Sequence, residues 1–118
     1  MNPVIAPDAL VALRDKAAEA ARLLTLLGNE NRLLLLCHLA QAGEMGVGAL
    51  ADAVGLSQSA LSQHLAKLRE DGLVATRREA QAVRYRLADP RVAAVMALLR
   101  DLFCAPSEDP IAERTRPC

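Results

Sequence analysis

Tryptophan is absent from this chain of 118 residues, and phenylalanine and tyrosine occur once each. Without aromatic bulk, the apolar half of the composition rests on Leu, Ala and Val, a palette that favours packed helices. Charge of one sign is lacking too: fourteen basic residues balance fourteen acidic ones, so net charge alone points to neither a nucleic acid nor a membrane. No window approaches the roughly 18 apolar residues of a membrane span, and the N-terminus has no basic segment followed by a long apolar stretch. The expectation is a cytoplasmic protein without a membrane partner. Cys37, Cys104 and Cys118 are odd in number and widely spaced, which excludes a secreted disulfide framework and makes reduced thiols the resting state. CxxC, HExxH and Gly-rich phosphate loops are all missing, so no metal and no cofactor is expected. Nor does a paired general base or a substrate-cradling motif suggest an enzyme.

What remains is enough chain for one domain able to bury roughly two thirds of its unfolded surface. From Asp8 to Leu27, Leu10, Leu13, Ala17, Ala20, Leu24 and Leu27 recur at three and four, predicting one helix that stops at Gly28. Asn29 caps a second helix, with Glu30 in its first turn and Leu33 to Leu36, Cys37 and Leu39 making it apolar on nearly every side. Such a helix belongs at the centre. After "GEMG" at 43–46, Val47, Leu50, Ala51 and Val54 form a short third helix ended by Gly55.

"GLSQSALSQHLAKLREDGL" is the most informative stretch. Ser57 is an N-cap only two residues after the glycine stop, and Leu61, Leu65 and Leu68 make the inward face of a fourth helix closed by Gly72. Two short helices joined by so tight a turn form a helix-turn-helix. Then the period switches to alternation: "LVATRREAQAVRYRLADP" predicts two strands, with Val83, Tyr85 and Leu87 on one face and Arg84 and Arg86 on the other. Asp89 caps a last helix with Pro90 at its first position and an apolar stripe of Val92, Val95, Met96, Leu99, Leu102 and Phe103 that reaches Cys104. The Pro-rich, charged remainder lacks periodicity. The expected organisation is an N-terminal segment over 1–8, one DNA-binding and dimerisation domain over 9–105 and a flexible tail over 106–118.

With Leu61, Leu65 and Leu68 inward, the opposite face of the fourth helix carries Ser59, Gln63 and Ala66, with Ser62 and Arg69 at its edge. That face is polar and flat. Gln pairs with adenine, Ser bonds to either base edge, and Ala permits close approach in a major groove. Ser57 and Gln58, at the helix start, suit phosphate. His64, flanking this face, is a phosphate or packing contact rather than a metal ligand. From Ser57 to Arg86 six Lys and Arg (Lys67, Arg69, Arg77, Arg78, Arg84, Arg86) face three acids (Glu70, Asp71, Glu79), an excess of three that the neutral total hides. Arg77, Arg78 and Arg84 on a hairpin suit the DNA backbone or an adjacent minor groove. A solvated hairpin beside an ordinary helix pair is the competing explanation; the combination of reading face and basic hairpin favours DNA.

The order of elements, and above all "LSQSALSQHLAKLREDGLV" followed by "TRREAQAVRYRL", resembles the ArsR family of winged-helix transcriptional regulators over about residues 10–105. The implied fold class is mainly α with a small β-hairpin: a dimeric winged helix-turn-helix of about five helices and a two-stranded wing. "NRLLLLCHL" together with "LFC" is similar to the thiol-based BigR-like branch, which responds to sulfide and persulfide, and to the HlyU-like virulence regulators. The resemblance implies a homodimer on a palindromic operator, with half-sites about 34 to 36 Å apart. It also implies that Cys37 and Cys104 are redox-sensing: reaction with reactive sulfur species or oxidants links them through a polysulfide or disulfide and lowers DNA affinity. The genes controlled would detoxify sulfide, or, in the HlyU-like alternative, the protein would be an anti-silencing virulence activator. A metal-sensing repressor using Cys37, Cys104 and His38 is a further alternative. The family's two standard metal sites are missing, since residues 47–54 hold no cysteine and the last helix no histidine.

Read locally, Cys37 is a core residue rather than a sensor, because a free cysteine behaves like a small buried hydrophobe. Cys104 sits at a helix C-terminus, where the dipole disfavours a thiolate, with Arg100 one turn earlier to offset it. Cys118 falls on the tail and is taken as incidental.

Overall fold

The computed structural model describes residues 4–104. The chain begins with α1 (Pro7–Asp15) and α2 (Ala17–Leu27), continues with α3 (Glu30–Ala42), a short β1 (Met45–Gly46), α4 (Val47–Val54) and α5 (Gln58–Glu70), and closes with the hairpin β2 (Val74–Glu79) and β3 (Ala82–Leu87) and with α6 (Pro90–Phe103). This is the expected mainly α winged helix-turn-helix, with two corrections of detail.

The single helix expected from Asp8 to Leu27 is two. At Lys16 the backbone leaves the helix (φ −108°, ψ 8°) and its N–H turns back to the Leu13 carbonyl at 3.0 Å, a three-residue closure that tightens and ends α1. Neither Gly nor Pro marks the break, and α2 restarts at once, so the apolar spacing runs through it undisturbed. The two-stranded wing likewise gains a third strand. In the antiparallel order β1-β3-β2, Met45 pairs with Tyr85 and Gly46 with Arg84.

Local chemistry explains the remaining boundaries. Asn29 Oδ1 accepts from Arg32 N, Ser57 Oγ from Ala60 N and Asp89 Oδ1 from Arg91 N, so each cap satisfies a backbone donor at the start of α3, α5 and α6. Gly55 ends α4 in the left-handed conformation (φ 81°, ψ 30°), where its N–H and that of Leu56 both reach the Ala51 carbonyl. Only Leu56 and Ser57 then separate it from α5.

The core gathers Leu26 and Leu27 from α2, Leu35, Leu36 and Leu39 from α3, Leu50 and Ala51 from α4, and Leu61, Leu65 and Leu68 from α5. Leu73, Val74, Val92 and Met96 complete it. The apolar stripes expected at the two ends of the chain are enclosed only in part: Leu27, Val92 and Met96 enter the core and the rest do not. α1 buries none of its residues, and Leu10, Leu13 and Leu24, like Leu102 and Phe103 of α6, stay exposed. Among the described residues, no helix is long and apolar enough to cross a membrane.

Candidate nucleic-acid interface

Helix α5 is fixed from behind. Leu61, Leu65 and Leu68 are wholly buried, and the turn of about 100° per residue sends Ser59, Ser62, Gln63, Ala66 and Arg69 to solvent. Gln58 joins them in the first turn, its side-chain amide 3.6 Å from the space a Cβ on Gly48 would fill. The polar face expected for base contacts is therefore assembled and open.

Three other expected DNA contacts are engaged within the protein. The Ser57 hydroxyl caps α5 at 3.1 Å from Ala60 N, which leaves its role toward phosphate to the backbone around it. His64 is half-buried, and its Nδ1 accepts from Arg32 Nε at 3.3 Å while Arg32 Nη1 donates to the Leu26 carbonyl at 3.3 Å. Lys67 Nζ stands 3.9 Å from Asp71 Oδ2, and Asp71 in turn accepts from Arg22 at 2.6 Å. Arg32 ties the start of the central helix to the reading helix, and nothing in the sequence near either residue announces it.

The wing arginines are arranged by strand register. Arg77 lies directly opposite Arg84, and Arg78 opposite Val83. Between Arg77 and Arg84 stands Glu44: Arg77 Nη2 donates to Oε1 at 2.7 Å and its Nε reaches both carboxylate oxygens. Arg84 Nε is 3.5 Å from Oε1, and its Nη2 donates to the Glu44 carbonyl at 3.3 Å. Glu79 takes Arg77 from the other side at 2.9 Å. Hydrogen bonding from Arg77 holds the Glu44 carboxyl below the usual carboxylate range, and the two carboxylates hold Arg77 charged far above neutral pH. Glu44 takes one charge from the basic excess of three counted from 57 to 86, and Arg22, paired with Asp71, returns one. Arg78 is exposed and forms no ion pair among the described residues.

Cys37 is exposed, which overturns its reading as a core residue. Leu35, Leu36 and Leu39 turn the other sides of α3 inward, and the Cys37 side faces a groove of about 830 Å³ between α3 and α6. Cys37, His38, Met96, Leu99, Arg100 and Cys104 all line that groove. The Cys37 thiol lies 3.6 Å from the Met96 thioether sulfur, and partial desolvation raises its pKa. Cys37 is a free thiol, so the two cysteines share the groove without being joined to each other. Cys118 lies outside the described residues. Among the described residues, no three His, Cys, Asp or Glu side chains cluster as a metal site.

A capped reading helix in a helix-turn-helix, flanked by a basic β-wing, defines a winged-helix DNA-binding protein. Residues 29–76 match the family described as "Bacterial regulatory protein, arsR family". The chain is 50% identical over 99 residues to the transcriptional activator HlyU of Vibrio cholerae, covering 84% of this chain and 91% of that protein. It is 46% identical over 100 residues to the biofilm growth-associated repressor of Agrobacterium fabrum, covering 85% of each. The crystal structure of the transcriptional repressor BigR from Xylella fastidiosa superposes with a TM-score of 0.75 at 40% identity, over 80% of this chain and 96% of that one. The protein belongs to the ArsR family and is a transcriptional regulator of that family.

Proposed function

We propose that this protein is a homodimeric, cytoplasmic repressor that reads a palindromic operator with Ser59, Ser62 and Gln63, grips the backbone through Gln58, Lys67 and Arg78, and releases DNA when Cys37 and Cys104 react with persulfides. The observation that carries the DNA-binding part is the uncommitted polar face of α5 beside the wing. Dimerisation is supported by the apolar residues left exposed on α1 and at the end of α6, which a second copy would cover. Its unit is the segment 9–105.

The groove shared by Cys37 and Cys104 supports the sensing part. A Cys37 thiolate attacks the outer sulfur of an organic persulfide, gaining a persulfide and releasing the thiol. A reduced Cys104 then closes the bridge by attacking the inner sulfur with loss of hydrogen sulfide, or first takes a sulfur from a second organic persulfide, so that condensation of the two persulfides leaves a trisulfide and again releases hydrogen sulfide. Tying α6 to α3 shifts the helices that frame the reading heads, a two-state switch driven by covalent chemistry. Because the Cys37 pKa is raised, its thiolate is scarce at neutral pH, and its alkylation by iodoacetamide, followed by mass spectrometry, is expected to accelerate up to a higher pH than for a free cysteine.

The test is duplex binding by the reduced protein, with fragments from upstream of its own gene and its neighbours, before and after an organic persulfide. Tight specific binding that falls at least about tenfold, and a response lost in Cys37→Ser and in Cys104→Ser, is the expected result. Unchanged affinity, or a Cys104→Ser protein that still responds, refutes the sensing mechanism. The identity to an activator in Vibrio cholerae supports a second reading, an HlyU-like anti-silencer. Transcription that falls rather than rises when the gene is deleted would favour it.

A further inference from the structure

The wing contains a carboxylate that the DNA-binding reading neither needs nor explains. β1 pairs Gly46 with Arg84, and alternation along a strand puts Glu44 on the same face as Gly46, the face of Arg77 and Arg84. Two guanidinium groups directly opposite on adjacent strands repel each other. Glu44 sits between them, held by Arg77 at 2.7 Å and by Arg84 at 3.5 Å, with a further bond from Arg84 to its backbone carbonyl. All three side chains remain in contact with solvent, Arg77 at 49% and Glu44 at 26% exposure. A pair so wet adds little to folding. Its effect falls on the charge the wing presents.

We propose that Glu44 is an affinity-setting residue for DNA, a built-in brake on the phosphate grip of the wing. A phosphate approaching Arg77 or Arg84 must share the guanidinium with Glu44 or displace it, and Glu44 takes one positive charge from those the wing arginines supply, beside the one Glu79 takes. Each phosphate neutralised contributes to affinity without regard to sequence, so a brake on the wing lowers binding to every duplex alike and leaves discrimination to the α5 face. Weak backbone grip also keeps the complex releasable, because a strong sequence-independent hold would persist after the reading helices had been displaced. This inference rests on the DNA-binding reading above.

Glu44→Gln tests it, since the amide oxygen still accepts from Arg77 while the charge is gone. Affinities for an operator duplex and for a scrambled duplex of the same length are measured against salt, with Glu44→Asp as the variant that keeps the charge. In Glu44→Gln, both duplexes are expected to bind more tightly, and log K to fall more steeply with log salt by about 0.9 per bound protomer. Between about 200 and about 50 mM salt, its advantage over wild type then grows roughly 3.5-fold per protomer. Glu44→Asp is expected to keep the wild-type slope, and thermal unfolding to stay close to wild type in both. An unchanged slope in Glu44→Gln, weaker binding, or an equal steepening in Glu44→Asp overturns the role of Glu44. A wild-type protein that binds no duplex at all overturns the DNA-binding reading itself, and this inference with it.

Discussion

The reading helix and the wing lie side by side, yet their polar groups are kept in opposite states. On α5 the outward Ser59, Ser62 and Gln63 are exposed and their side chains take part in no hydrogen bond or ion pair among the described residues, while the inward leucines are sealed. On the wing two of the four arginines are already spoken for: Arg77 is shared by Glu44 and Glu79, and Arg84 leans on Glu44. The difference follows from what each must do. A base-reading side chain has to be free to match a donor and acceptor pattern, and any internal partner would compete with the base edge. A phosphate-gripping arginine has no pattern to match, so its strength can be tuned by carboxylates without loss of information.

The comparison breaks most severely if α5 loses its support. Leu65 is completely buried at the centre of the inward face. Leu65→Ala is expected to cost about 2 to 5 kcal/mol of stability. Chemical denaturation checks it, and a cost below about 1 kcal/mol would mean that α5 can collapse onto the cavity and is less rigidly held than its burial implies. Gln63→Ala removes a free reader while leaving that support intact. Binding to the operator is expected to weaken by about 1 to 3 kcal/mol, with one base position relaxed and scrambled-duplex affinity unchanged. A uniform loss on both duplexes would place Gln63 on the backbone and erase the contrast with the wing.

How much of this contrast was visible in the sequence depends on how far apart the partners are. The reading face was legible because everything that builds it is local: the Gly55 stop, the Ser57 cap and the spacing of Leu61, Leu65 and Leu68 act within one or two helical turns. The Asn29 and Asp89 caps were legible for the same reason. The arrangement of the wing was not, because Glu44 meets Arg77 across 33 residues and does so only through β1, a strand of two residues that exists because β3 offers it an edge. Arg32 and His64 are 32 residues apart and equally silent. Cys37 misled for a different reason. In a helix apolar on every side the periodicity cannot say which stripe faces out, and Leu34 and Cys37 are the stripe that does. The break at Lys16 left no trace because a one-residue interruption between two amphipathic helices preserves the spacing on either side of it.

The finest test lies within the wing itself, between two neighbouring arginines of equal charge. Arg78 points to the face opposite Arg77, is exposed, and has no ionic partner among the described residues, whereas Arg77 is held by two carboxylates. If the pairing decides which arginine grips phosphate, Arg78→Ala flattens the salt dependence of operator binding by about 0.9 per bound protomer. Arg77→Ala is then expected to flatten it by clearly less, because it removes a charge that acts on the duplex only at a distance, through screening ions. Parallel titrations of both variants against salt separate the two cases. Equal slopes would mean that phosphate opens the Glu44 and Glu79 pairs on contact, so that the wing is committed only while it is free. A larger effect at Arg77 would mean that the carboxylates aim that guanidinium at the backbone and make it the principal grip. Only the unequal result, with Arg78 dominant, fits a wing whose strength is set by the charges it leaves unpaired.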